Sequence, residues 1–245
     1  MKTSKIEWTE ATWNPMTGCN KVTAGCKNCY AETMAKRLKA MGTPGYENGF
    51  QFSIMPSRLN LPLNVKKPTR FFVNSMSDLF HEKAPFEYID KIFEIMKNTP
   101  RHQYQILTKR EDRMYEYFQT RTASENVWLG VTVENKKTKH RIDKLRNIDV
   151  GIRFLSLEPL LEDLGTLDLS NIHWAIVGGE SGPKARPMDP EWAINIQEQC
   201  DEQNVAFFFK QWGTWGADGK KRSKKSNGRI LRGKEWNEYP ANLIA

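Results

Sequence analysis

Cys19, Cys26 and Cys29 fall within eleven residues, in the segment Gly18-Cys19-Asn20-Lys21-Val22-Thr23-Ala24-Gly25-Cys26-Lys27-Asn28-Cys29-Tyr30. Thiolates are soft ligands, and three on one short loop can hold a cuboidal iron–sulfur cluster or supply most of a tetrahedral zinc site. A structural zinc site wants four protein ligands, so it would have to recruit His81, His102, His140, His173 or Cys200, none of which stands at the usual ligand spacing. A cluster held by three cysteines keeps one iron open to a substrate or cofactor. Both readings stay open at this point.

The loop needs a scaffold, and the sequence has one. Apolar segments rich in β-branched and aromatic residues alternate with helical patterns, the sign of βα units around a mostly parallel sheet. Candidate strands lie around Ala11 to Asn14, Arg70 to Asn74, Tyr104 to Leu107, Val127 to Val133, Arg153 to Leu157, Trp174 to Val177 and Val205 to Phe209. The cysteine loop follows the first and opens a helix near Tyr30. Phe86, Ile89, Phe93 and Met96 share a face after Pro85, and Asp189-Pro190 caps a helix whose stripe is Trp192, Ile196 and Cys200, so Cys200 reads as structural. Residues 42–67 show no period and carry Pro44, Gly45, Gly49, Pro56 and Pro62, which reads as a long binding loop or lid. The expected fold is α/β, a partial (β/α) TIM-like barrel of about six to seven parallel strands over residues 1–210, followed by a short basic appendage containing tryptophans over residues 211–245.

The 245 residues carry 37 Lys plus Arg against 29 Asp plus Glu, a net charge of +8 that favours polyanionic partners. Much of that excess sits at Lys220-Lys221-Arg222-Ser223-Lys224-Lys225 and at Arg229, Arg232 and Lys234, near Trp212, Trp215 and Trp236. This mixture suits a nucleic-acid contact, and equally a solvated tail whose tryptophans pack onto the barrel. No stretch approaches a membrane helix and Met1 to Lys5 lead into no signal-peptide core, so a cytoplasmic protein without membrane contact is expected. In such a reducing compartment the cysteines call for a metal or redox explanation rather than disulfides.

Around Cys19 to Glu32 the sequence resembles the radical S-adenosylmethionine (SAM) superfamily, in which three cysteines follow the first strand of a partial barrel and close with C-x-x-C at a helix start. Over most of the chain it resembles a phage-associated family of three-cysteine proteins that share Trp13-Asn14-Pro15, Gly18-Cys19 and Cys26-x-x-Cys29-Tyr30-Ala31. The superfamily resemblance implies a 4Fe-4S cluster on Cys19, Cys26 and Cys29, SAM chelating the open iron, an electron donor such as flavodoxin or ferredoxin, and a 5′-deoxyadenosyl radical that abstracts hydrogen from the substrate. The spacing here is C-x6-C-x2-C rather than the commoner C-x3-C-x2-C. Asn28 stands where an aromatic residue is frequent, with Tyr30 as the substitute for the adenine contact.

In barrels of this kind the working groups follow the strands. Asn74, Ser75, Ser77 and Asp78 stand where the superfamily often has Gly-Gly-Glu to hold the methionine amino group, although Ser77 or Asp78 would equally cap the next turn. Thr132, Glu134, Ser156 and Glu158 are further candidate cofactor contacts. Thr108, Lys109 and Lys210 also follow strands, and Lys109 and Lys210 are candidate substrate contacts. Gly178-Gly179-Glu180 reads as a close backbone approach to substrate through Gly179 and Glu180, or as a tight turn. The leading expectation is radical modification, rearrangement or repair of a DNA or RNA base. The alternatives are radical chemistry on a peptide or small metabolite, and a zinc-stabilised nucleic-acid-binding protein without catalysis.

Overall fold

The computed structural model describes Ser4 and residues 6–241. The outer limits expected for the barrel and the appendage, and most of the segment read as lacking a signal core, lie outside the described residues. In chain order the strands are β1 (Ala11–Trp13), β2 (Met16–Thr17), β3 (Ser53–Ile54), β4 (Arg70–Val73), β5 (Gln103–Thr108), β6 (Val127–Thr132), β7 (Ile152–Leu157), β8 (Trp174–Gly178), β9 (Ala206–Gln211), β10 (Ile230–Leu231) and β11 (Lys234–Glu235). The helices of more than one turn are α1 (Tyr30–Ala40), α2 (Phe86–Lys97), α3 (Glu111–Phe118), α4 (Arg141–Arg146), α5 (Pro190–Glu202) and the short α6 (Lys224–Asn227). Seven strands are hydrogen-bonded in the order β1-β4-β5-β6-β7-β8-β9, which is their order along the chain, with helices between: the winding of a partial (β/α) barrel. No helix among the described residues is long and apolar enough to cross a membrane.

Two compact units divide the chain. The first is Met1–Gly130 with Ile148–Gly151, and the second is Val131–Asn147 with Ile152–Ala245.

In the first unit β4 runs parallel to β1 and to β5. Phe71, Val73, Tyr104 and Ile106 alternate inward with Trp13, all essentially inaccessible. Helix α2 buries Ile89, Ile92, Phe93 and Met96, with Phe86 on its edge only half-buried. The expected loop over 42–67 holds β3 and two short 3-10 turns, Pro56–Arg58 and Leu61–Asn64, and β3 forms with β2 a two-residue antiparallel ladder pairing Met16 with Ile54 and Thr17 with Ser53. A two-residue strand is too short to show alternation, so the sequence pattern is silent there.

In the second unit β7, β8 and β9 are parallel, and β8 is buried along its whole length, as expected of a strand covered on both faces. Helix α5 begins as its sequence dictates, with the Asp189 side chain accepting from Glu191 N at 2.9 Å and Pro190 in the first turn. Cys200 is fully buried on its inner face. Residues 212–239 pack within this unit. Trp212 is 4% exposed and donates its indole N–H to Ile230 O, Trp215 donates to Ala185 O and Trp236 to Leu231 O, so the indoles are structural anchors for the basic segment.

Candidate functional site

The cysteine loop is built by the first unit alone. It leaves the sheet through Gly18, whose φ of +77° belongs to the left-handed region and whose absent side chain lets the Gln51 carbonyl come close: a Cβ there would lie 2.0 Å from Gln51 O. Gly18 N donates to Met76 O and Cys19 N to Phe50 O. The loop is therefore held on one side by the segment after β4 and on the other by the 42–67 excursion. A short turn of 3-10 helix at Ala24–Cys26 and the start of α1 at Tyr30 then carry the remaining two cysteines. Lys21 clips the loop to the helix, its ammonium 3.0 Å from Glu32 and 3.2 Å from Lys27 O.

All three loop cysteines are half-buried free thiols, whereas Cys200 is sealed. Burial and the Asp78 carboxylate push the Cys19 thiol up to about 11, against the opposing pull of Arg110. Burial also acts upward on Cys26, but the Lys109 charge and hydrogen bonds from Val22 and Thr23 outweigh it and bring that thiol below its ordinary value. Cys29 packs against Ala31, Ala35, Tyr46 and Met76.

Beside Cys19 lies the polar hub of the unit. Asp78, 6% exposed, accepts from Phe80 N at 3.0 Å, from the Thr108 hydroxyl at 2.7 Å and from Lys109 N at 3.0 Å. Arg110 lies 3.4 Å from the same carboxylate and 3.5 Å from Cys19 Sγ, and its other terminal nitrogen bonds the Asn20 side chain. Asn14, between β1 and Pro15, accepts from the Ser75 hydroxyl and from Met76 N. Ser77 donates to Met16 O. Asn74 adopts a φ of 59° and its side-chain oxygen receives Met16 N, while Nδ2 is buried without a hydrogen-bond partner. Tyr30 is 60% exposed. A cleft of about 590 Å³ opens alongside, lined by Cys19, Phe50, Phe52, His81 and Lys83 among others. His81 and Phe52 are stacked at 4.4 Å, and burial, reinforced by the Arg110 charge, pushes His81 down to about 4.

Sequence reasoning singles out the cysteines and the 74–78 segment, and these are neighbours. It misses Asn14, Asn20 and Arg110. For Asn14 a signal is present in Trp13-Asn14-Pro15, whereas a lone arginine two residues after a strand carries none.

In the second unit the polar residues after the strands pair with one another. Glu134 is fully buried, 3.2 Å from Arg141, which also donates to Thr132 O at 2.8 Å. Ser156 donates to Glu158, and Glu158 lies 3.0 Å from Lys210. Glu180 accepts two side-chain bonds and one backbone bond from Arg186. Gly179 donates to Gln211 O, and a Cβ on it would lie 2.0 Å from Trp212 O, so the close approach it permits is to the chain itself.

Among the described residues no three His, Cys, Asp or Glu side chains converge tightly enough for a single metal ion. Of the histidines a zinc site could recruit, His81 lines the same cleft as Cys19, its Nδ1 accepting from Lys83 N at 3.1 Å, while His102 contacts Pro62 O, His140 contacts Lys137 O, and His173 accepts from Arg153 N. The three half-buried thiols are soft donors on one loop, the donor set that an iron–sulfur cluster with an open corner takes, and the buried amide N–H of Asn74 has no hydrogen-bond partner.

No curated protein matches the chain. Solved structures of spore photoproduct lyase are similar to it: one mutant at 13% identity and a TM-score of 0.49, covering 85% of this chain and 78% of that one. Another, with bound AdoMet and dinucleoside spore photoproduct, stands at 12% and 0.48, covering 86% and 78%. A third, at 14% and 0.47, is matched over 73% of this chain and 58% of its own length, so the chain spans less than two thirds of that structure. A family model matches residues 3–240, nearly the whole sequence, and the chain belongs to the family described as Protein of unknown function (DUF5131).

Proposed function

We propose that the protein is a radical SAM enzyme whose 4Fe-4S cluster is held by Cys19, Cys26 and Cys29 and whose substrate is a base in DNA or RNA. The observation that carries this reading is the set of three half-buried thiols on one loop between the first parallel strand and α1, with the fourth cysteine buried on α5 of the second unit. When bound, cluster and cofactor supply one-electron cleavage of SAM and a 5′-deoxyadenosyl radical that abstracts hydrogen; the protein's share is to bind, orient and shield.

In the first unit Cys19, Cys26 and Cys29 hold the cluster. Asn74, with its unused amide donor, and Ser75, Ser77 and Asp78 around it form the candidate contact for the methionine end of the cofactor, and Tyr30 the one for adenine. Lys109 is the candidate substrate contact of the same unit. In the second unit Ser156 and Glu158 as cofactor contacts, and Glu180 and Lys210 as substrate contacts, rest on their positions after strands, whereas the fully buried Thr132 and Glu134 face Arg141 and Gly179 packs on the Trp212 main chain.

Support for a nucleic-acid substrate comes from the appendage over 211–245. Between Thr214 and Lys234 it carries eight Lys or Arg and one acid, Asp218, which is paired with Arg222. The tryptophan anchors hold this basic segment in a folded shape, and Lys220, Lys221 and Lys225 are exposed. Sequence-independent contact with phosphates is the use such a surface suits best.

The test is anaerobic reconstitution with iron and sulfide, followed by visible and low-temperature paramagnetic resonance spectra with and without SAM, beside Cys26→Ala. The expected result is a reduced-cluster signal that shifts with SAM and is absent from the variant. A colourless protein with stoichiometric zinc would turn the assignment to a zinc-stabilised binding protein.

A further inference from the structure

Arg110 stands between the Cys19 sulfur and the Asp78 carboxylate of the first unit. Its Nη1 lies 3.5 Å from Cys19 Sγ and 3.4 Å from Asp78 Oδ2, and its Nη2 bonds the side chain of Asn20, which in turn donates to Glu82 at 3.0 Å. The Arg110 and Asp78 side chains are each only 9% exposed. Asp78 is itself immobilised by Phe80 N, the Thr108 hydroxyl and Lys109 N, so the guanidinium is aimed by a fixed carboxylate. Such a side chain does more than balance charge at a surface, where a comparable pair would contribute little.

We infer that Arg110 is a positioning and potential-setting residue of the iron–sulfur site: clamped by Asp78, it fixes Cys19 and Asn20 and donates a charge-assisted N–H bond to the Cys19 sulfur, favouring the reduced cluster. The inference rests on the cluster assignment proposed above. Its physical basis is general. Reduction adds one negative charge to the cluster, hydrogen bonds to ligand sulfurs and nearby cations stabilise that charge, and both raise the reduction potential. Little solvent reaches this arginine, so its field at Cys19 is weakly screened.

The experiment is a dithionite titration of the reconstituted protein, read by paramagnetic resonance, for the wild type, Arg110→Lys and Arg110→Gln. Arg110→Gln is expected to lower the reduced-to-oxidised ratio at fixed potential about tenfold, a shift of about 59 mV to more negative values for a one-electron couple. Arg110→Lys, which keeps the charge and loses the planar fork joining sulfur, carboxylate and amide, should fall between. If Arg110→Gln fails to assemble a cluster while Arg110→Lys does so at a lowered potential, the positioning role is supported. Clusters forming in both variants at the wild-type potential would overturn the inference and leave the cluster assignment intact. Absence of any cluster from the wild type would overturn both.

Discussion

The Asp78 carboxylate, five residues beyond β4, and the hydroxyl of Thr108, the last residue of β5, meet at 2.7 Å inside the first unit. The hydroxyl donates to Asp78 and at the same time accepts from Arg110 N at 2.9 Å, so one side chain fixes both members of the ion pair. Thr108→Val keeps the shape and removes both bonds. It is expected to cost about 1 to 3 kcal/mol of stability, read as a lower urea midpoint at unchanged slope.

Glu134 and Arg141 form a buried pair in the second unit. Arg141→Ala leaves a carboxylate stranded in the core and should cost about 3 to 5 kcal/mol. Thermal unfolding of the metal-free protein measures this without reference to any cofactor, and a loss below about 1 kcal/mol would mean that the pair is not closed in solution.

Gly18→Ala places a methyl group against the Gln51 carbonyl at a left-handed φ. Strain of about 1 to 3 kcal/mol is expected, together with iron and sulfide contents after reconstitution well below those of wild type, because the loop that presents Cys19 must shift. Unchanged iron binding would show that the loop and the excursion are not tied at this point.

His81 is held neutral in the folded protein, its pKa pushed down to about 4 mainly by burial. Between about pH 6.5, the ordinary histidine value, and pH 4 the unfolded chain therefore binds the proton that the folded chain refuses, and stability falls as the pH falls. The contribution is up to about 3 kcal/mol over that window. His81→Gln should flatten the pH dependence of the urea midpoint from pH 7 to pH 4.5 by about that amount; parallel curves for the two proteins would refute the burial of a neutral imidazole.

Replacing Lys220, Lys221, Lys224 and Lys225 by Gln should reduce the slope of log affinity against log salt for duplex DNA by about 3 to 4, at about 0.9 for each phosphate that is no longer neutralised. An unchanged slope would place the nucleic-acid surface elsewhere or remove it.

Much of this architecture is legible in the sequence because its signals are periodic or stereochemically strict. The seven strands lie within a residue or two of the apolar runs that announce them, and α5 starts where an Asp-Pro pair requires. What escapes detection depends on partners distant in sequence. Arg110 meets Cys19 across 91 positions, Asn14 meets Ser75 across 61, and no local pattern encodes either pairing. The carboxylates Glu134, Glu158 and Glu180 read as a row of polar groups after strands; their cationic partners Arg141, Lys210 and Arg186 become visible only when the chain is folded.

The contacts that secure Gly18 and Cys19 to the 42–67 excursion are made to the main-chain oxygens of Phe50 and Gln51, not to their side chains. The side chain of Gln51 can therefore vary while the main chain beside Cys19 stays in place, whereas Phe50 is also held by its packing on Ala31, Ala35, Tyr46 and Met76. Selection for a new ligand could act at Gln51 on what lines the cleft without disturbing the loop that presents the thiol.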